Sequence, residues 1–244
     1  MTTRVKICGL GTPETLAAAL EAGADLVGFV HFAPSPRHLG WPEAQALAAE
    51  VRGRAERVVL LVDPDDATLR AALESVAPDL IQLHGRESPE RVAAIRALAG
   101  RPVMKALGIG AEADLARIPD YAAVDRLLLD AKPPPGAVLP GGNGLAFDWR
   151  LIAGARLPAG WMLSGGLRPD NVAEALARTG APAVDVSSGV ETAPGIKDPA
   201  LIAAFVAAVR ASAAAGRPSA AAGRPSAAAD RPSAAADGRD VPLA

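Results

Sequence analysis

Trp161-Met162-Leu163-Ser164-Gly165-Gly166, then a helical stretch near 170–179, then Ala183-Val184-Asp185-Val186-Ser187-Ser188-Gly189: this segment decides the fold. A short β-prone run ends in a glycine turn. Pro169-Asp170-Asn171 opens the helical stretch, and a second β-prone run follows. Such a strand–helix–strand unit makes two parallel strands joined by a crossover helix.

Upstream, the same unit recurs. β-prone runs are read at Val5–Cys8, Leu26–Val30, Val58–Val62, Leu80–His84, Val103–Leu107 and Arg126–Asp130, before Trp161–Ser164 and Ala183–Ser187. Between and after them lie helical candidates near 13–22, 43–52, 65–76, 88–99, 111–117, 149–154, 170–179 and 199–211. Thr12-Pro13-Glu14, Trp41-Pro42-Glu43 and Ser88-Pro89-Glu90 read as helix starts, because proline suits the first turn. Eight units predict an α/β fold, a closed (β/α)8 TIM barrel in one domain. An open doubly wound sheet is the alternative, but no Gly-x-Gly-x-x-Gly follows the first strand.

The barrel is expected to occupy residues 1–211 and a low-complexity tail residues 212–244. In the tail, Gly216-Arg217-Pro218-Ser219-Ala220-Ala221-Ala222 recurs from Gly223 and, with Asp230 leading, a third time. Each repeat carries a proline and lacks large apolar residues, so it has no seam to bury. The tail is expected to be disordered.

Half of the 244 residues are hydrophobic, enough for a sizeable core, and the net charge of −2 gives no case for nucleic acid or an anionic membrane. One cysteine excludes an internal disulfide and suits a reducing compartment. Met1-Thr2-Thr3-Arg4 lacks the apolar stretch of a signal peptide, and no apolar run spans a bilayer. A soluble cytoplasmic protein is expected. Abundant alanine and arginine read as compositional bias.

Chemistry in this barrel class gathers in the loops after the strands. Here those ends are Cys8-Gly9, His31, Asp63-Pro64, His84-Gly85, Gly108, Asp130, Ser164-Gly165-Gly166 and Ser187-Ser188-Gly189. The last two read as a phosphate cradle. Gly165 and Gly166 let backbone amides approach an anion, and Ser187, Ser188 and Gly189 offer hydroxyls, amides and a short extra helix. Two ordinary tight turns are the competing reading. Residues 131–147 form a long non-helical stretch with Pro133-Pro134-Pro135 and Gly141-Gly142-Asn143-Gly144. Its glycines suit a lid hinge or further phosphate amides. Asp148 reads as a helix cap.

The ordered set Lys6-Ile7-Cys8-Gly9, Ser35-Pro36-Arg37, Gln82-Leu83-His84-Gly85, Leu129-Asp130, Gly141 through Trp149, Ser164-Gly165-Gly166-Leu167 and Asp185 through Glu191 resembles the phosphoribosylanthranilate isomerase family of tryptophan biosynthesis. The match runs from residue 4 to about 210. Asn143 stands where that family often has threonine, and Ser164 where alanine is common.

The resemblance implies a (β/α)8 barrel that converts N-(5-phosphoribosyl)anthranilate to its 1-deoxyribulose isomer by an Amadori rearrangement, without metal or organic cofactor. It implies Cys8 as general base and Asp130 as general acid. A thiol needs a modest electropositive setting to become a base. Asp130 must stay protonated, so burial is expected to raise its pKa. Arg37 is expected to meet the anthranilate carboxylate with its planar fork, and His84 to line the site. Gly142, Gly144, Gly165, Gly166, Ser187, Ser188 and Gly189 are expected to bind substrate. His31 and His38 show no paired metal-ligand spacing.

Period two puts Lys6 and Cys8 on one face of strand one, and Asp185 and Ser187 on one face of strand eight. Closure makes these strands neighbours. A Lys6–Asp185 ion pair inside the barrel is therefore expected, with Lys6 favouring the Cys8 thiolate.

A small phosphosugar substrate and a monomer or homodimer complete the expectation. A bifunctional or histidine-pathway phosphoribosyl isomerase, and a non-catalytic phosphate-binding barrel with the tail as tether, are the competing readings.

Overall fold

The computed structural model describes residues 2–215 apart from Ala122, Pro135, Val138, Asn143, Leu145 and Ala146. The repeat segment from Gly216 lies outside the described residues, as does the asparagine of the glycine loop.

Eight parallel strands close into a barrel in chain order. They are β1 (Arg4–Cys8), β2 (Leu26–His31), β3 (Glu56–Leu61), β4 (Leu80–Leu83), β5 (Val103–Ile109), β6 (Arg126–Ala131), β7 (Met162–Leu163) and β8 (Ala183–Val186). The crossover helices are α1 (Pro13–Glu21), α2 (Trp41–Val51), α3 (Asp66–Val76), α4 (Pro89–Ala99), α5 (Val172–Thr179) and the closing α6 (Pro199–Ala215). Closure pairs β1 with β8, and the register sets Lys6 opposite Asp185.

Local chemistry fixes the helix starts. The side chains of Thr12, Asp65 and Ser88 accept from the N–H groups of Thr15, Thr68 and Arg91. Each satisfies a donor that the first turn leaves unpaired. At α2 the cap is Gly40, with no side-chain bond.

Two crossovers differ from the sequence reading. The candidates at 111–117 and 149–154 are short 3-10 segments, Glu112–Arg117 and Trp149–Leu151, instead of α-helices. Pro119 and Gly154 follow them closely, and each discourages a growing α-helix. Conversely, α6 runs past residue 211 to Ala215, carried by an alanine run of high helix propensity.

The barrel interior is layered. Leu26, Val58, Leu80, Met104, Leu128, Met162 and Ala183 form an apolar floor, with Ala106 beside them. The outward-facing residues of the same strands pack against the helices in the main core, where Phe29 and Phe205 are fully buried. Each such side chain contributes on the order of 2 kcal/mol. Above the floor the interior turns polar. Lys6 Nζ donates to Asp185 Oδ1 at 2.9 Å, and Ser164 Oγ donates to Asp185 Oδ2 at 3.3 Å. The ion pair expected from strand periodicity is therefore present, and it is fully enclosed.

Candidate active site

The strand ends surround one cavity at the barrel mouth. Cys8, Arg37, His84, Asp130, Gly142, Gly144, Gly165, Gly166, Ser187 and Ser188 all line it. Gly189 does not. A side chain there would run into Leu167 O, so this glycine serves close packing of the last two loops.

Cys8 ends β1 with its side chain turned inward, buried beside Val30 and Leu60. Its carbonyl accepts from Ser187 Oγ at 3.1 Å, which ties strand one to the loop after β8. Burial pushes the Cys8 thiol above its ordinary value; Lys6 pulls it down and Asp185 pushes it back up. Lys6 thus acts in the expected direction, but its charge is largely answered by Asp185 and desolvation prevails. In the free protein the net direction is upward, with burial the largest cause. Burial opposes the Lys6 charge, yet Asp185 and Cys8 together hold its ammonium above the ordinary value.

Asp130 sits at the end of β6, across the mouth from β1. Its Oδ1 accepts from the Ala131 N–H at 2.8 Å, and its Oδ2 lies 3.2 Å from His84 Nε2. Gly165 makes room for this carboxyl. It adopts φ +87°, and a Cβ there would come within 2.6 Å of Ala131 N and 3.2 Å of Asp130 Oδ1. Only glycine tolerates both conditions. The glycine loop after β6 covers the same groups, since the Cβ position of Gly141 falls within 2.5 Å of Asp130 Oδ2 and of His84 Nε2.

Arg37 is buried, and most of its fork is already engaged. Its Nε and one Nη donate to the two oxygens of Glu191 at 2.7 and 2.8 Å, and the same Nη reaches Gly142 O at 3.3 Å. Only Nη1 has no protein acceptor among the described residues. Gly9, at φ +77°, lets the chain pass over the arginine stem, since a Cβ would lie 2.7 Å from Arg37 Cδ. Burial opposes the Glu191 charge, but Arg37 and Lys197 hold its carboxyl below the ordinary value. Lys197 completes the cluster by donating to Glu191, to Ser187 O at 3.0 Å and to Ser187 Oγ at 3.2 Å. Burial lowers the Lys197 ammonium, against the pull of Glu191.

At the last two strands the cradle geometry is present. Ser188–Val190 forms the short helical turn read from sequence, and it opens beside Gly165 and Gly166. The N–H groups of Gly166 and Ser188 meet no protein acceptor among the described residues. Unpaired amides at a helical start suit an anion. Asn171 fixes the loop, accepting from Arg168 N at 2.8 Å and donating to Gly166 O at 2.9 Å. The opposite wall is apolar, with Val30, Phe32, Leu60 and Val62.

His31 lies away from the cavity, stacked 3.6 Å from Trp41, with its Nδ1 2.9 Å from Leu39 O and His38 beside it. No cluster of three or more His, Cys, Asp or Glu side chains suited to a metal occurs among the described residues. None of the described helices is long and apolar enough to cross a membrane.

Sequence reasoning gave no role to Gln82, Glu191 or Lys197. Gln82 had a signal, a polar residue at an inward position of an aliphatic strand. Glu191 gave none, since its partner Arg37 lies far away in the chain, and Lys197 gave none, since its partners Glu191 and Ser187 were given no charge-pairing role.

The chain matches the family model described as N-(5'-phosphoribosyl)anthranilate (PRA) isomerase over residues 5–208. It is 64% identical over 213 residues to the N-(5'-phosphoribosyl)anthranilate isomerase of Azorhizobium caulinodans, covering 87% of this chain and 93% of that one. The crystal structure of phosphoribosyl anthranilate isomerase from Thermotoga maritima superposes with a TM-score of 0.78 at 35% identity, over 86% of this chain and 100% of that one. A second similar structure is a phosphoribosyl anthranilate isomerase in complex with reduced 1-(o-carboxyphenylamino)-1-deoxyribulose 5-phosphate. Its TM-score is 0.75 at 33% identity, over 86% of this chain and 100% of that one.

Proposed function

The chain belongs to the N-(5'-phosphoribosyl)anthranilate isomerase family, and from that premise we propose that it converts N-(5-phosphoribosyl)anthranilate to 1-(2-carboxyphenylamino)-1-deoxyribulose 5-phosphate, with Asp130 as acid and Cys8 as base. The observation that carries the assignment of roles is that an inward thiol and an inward carboxyl face one cavity from opposite sides of the barrel, with an anion cradle between them.

The substrate phosphate is held by the amides of Gly166 and Ser188 and by the Ser187 and Ser188 hydroxyls. Gly142 and Gly144 of the loop after β6 close over it. The anthranilate ring packs on the apolar wall of Val30, Phe32, Leu60 and Val62, and Arg37 turns its remaining Nη1 to the carboxylate. Asp130 gives its proton to the ribose ring oxygen, and the C1–O bond breaks to leave a protonated Schiff base. Cys8, as thiolate, then removes the C2 proton, giving an enolamine that ketonises at C2 as C1 takes up a proton.

Burial pushes the Cys8 thiol up in the free protein, so the thiol gives its proton to solvent as the substrate binds. Enclosure beside the cationic Schiff base stabilises the thiolate through the nearby positive charge.

With this reading go a small phosphosugar ligand, a monomer or homodimer in the cytoplasm, and a barrel isomerase domain with an appended C-terminal tail. Freshly made phosphoribosylanthranilate loses its fluorescence on isomerisation. The purified chain is expected to abolish that signal catalytically, and binding without turnover would overturn the proposal.

A further inference from the structure

Gln82 is a buried polar side chain that the reaction as written leaves unused. It stands on β4 between Leu80 of the barrel floor and His84 at the mouth, and it lines the cavity. It is fully buried, yet its Oε1 has no hydrogen-bond partner among the described residues. An unpaired buried carbonyl oxygen costs stability that a methionine of similar size would avoid. The residue therefore needs a reason other than filling space, and the other end of its amide supplies one.

Gln82 Nε2 lies 3.3 Å from His84 Nδ1, and His84 Nε2 lies 3.2 Å from Asp130 Oδ2. An amide NH2 group can only donate. With the NH2 turned to the ring, His84 Nδ1 is the acceptor and the ring proton falls on Nε2, the nitrogen 3.2 Å from Asp130 Oδ2. With Oδ1 held by the Ala131 N–H, both oxygens of Asp130 are fixed from the protein side.

We propose that Gln82 is a positioning residue for the acid step, fixing His84 as the Nε2–H tautomer so that the ring orients Asp130 and stabilises the carboxylate it becomes. The inference rests on the acid role given to Asp130 above. In that step the Asp130 O–H bond breaks and its proton goes to the ribose ring oxygen. The C1–O electron pair stays on that oxygen. His84 keeps its own proton and donates a strengthened hydrogen bond to the new carboxylate. Were the tautomer reversed, a ring lone pair would face the carboxylate as it forms.

Two measurements test this on the full chain. Two-bond proton–nitrogen correlations of the ¹⁵N-labelled protein read the tautomer of each histidine. Wild type is expected to show His84 with Nε2 protonated, and the Gln82→Met variant a mixture. The kinetic expectation for Gln82→Met is a kcat lowered about tenfold, the rate equivalent of one hydrogen bond to a charged group, with KM little changed. In a His84→Ala background the same substitution should cost nothing further.

An Nδ1–H tautomer in wild type overturns the inference, and this reading stands even if the variant fails to fold. Undiminished kcat in Gln82→Met, or the same loss without His84, overturns it too. Absence of turnover in wild type overturns the isomerase reading and this inference with it. Turnover in wild type with a full-rate Gln82→Met overturns this inference alone.

Discussion

Lys6→Met removes one charge from beside the only thiol in the chain. Lys6 Cε and Cys8 Sγ lie 3.3 and 3.1 Å from one point above Gly28, the position a Cβ would take there. The ammonium acts on the sulfur through its charge and through a side-chain hydrogen bond, and at an effective dielectric of about 20 and a separation of roughly 4–6 Å its attraction for a thiolate is about 3–4 kcal/mol. That corresponds to roughly a hundredfold or more in thiolate fraction at fixed pH. Asp185 acts in the opposite sense. Lys6→Met should therefore slow alkylation of Cys8 by iodoacetamide and move its pH profile upward. Asp185→Asn should speed it and move the profile down, and the double variant should fall near wild type. With no second cysteine, mass spectrometry reads Cys8 alone.

The pair is buried, so Lys6→Met also leaves a carboxylate without its counterion. That costs about 3–5 kcal/mol, roughly 10 °C in a barrel of this size, and profiles must be taken below the lowered melting point. If the three profiles overlay that of wild type, the field of the buried pair does not reach the thiol and the reasoning fails.

Other consequences follow from the site geometry. Glu191→Gln should loosen Arg37 and raise KM by about tenfold with a smaller effect on kcat, the pattern of lost ground-state binding. Gly165→Ala forces a Cβ to within 2.6 Å of Ala131 N at a positive φ. It should displace Asp130 and lower kcat at least tenfold, as steady-state kinetics would show. Glu191 and Glu56 are held below their ordinary value against the effect of burial, by Arg37 and Lys197 and by Arg126 and Arg4 respectively. The stability they contribute is present above about pH 4.5, the ordinary glutamate value, and is lost as pH falls through the lowered folded-state values. The urea midpoint should drop on acidification, and Glu191→Gln should flatten that drop.

The barrel was legible because each strand carries a compact β-prone run and most helices carry a cap. Thr12 and Ser88, at starts read from sequence, and Asp65 each cap their helix through the side chain. The weak crossovers were misread, because alanine and leucine near 111–117 and 149–154 suggest a helix while Pro119 and Gly154 limit it to a 3-10 turn. Strand periodicity and closure sufficed for Lys6–Asp185, since both lie inside strands whose neighbours are known once the barrel is assumed. They did not suffice for Arg37–Glu191. Arg37 lies in the loop after β2 and Glu191 in a short hairpin after β8, and their meeting is set by contacts far apart in sequence. Lys197 was hidden for another reason, since it meets Glu191 across a hairpin of two very short strands that carry no β-prone run. Cys8 was found by position, but its ionisation depends on the balance of burial, Lys6 and Asp185, which no local pattern contains.

The central claim is that Cys8 and Asp130 act on one bound phosphoribosylanthranilate. Its most direct test is the rate of fluorescence loss for wild type, Cys8→Ser and Asp130→Asn under identical conditions. Loss of a positioned acid or base lowers the rate by about 10²–10⁴-fold. The account predicts a fall of that size in each variant, with the folded barrel retained. A Cys8→Ser variant that keeps the wild-type rate would contradict it.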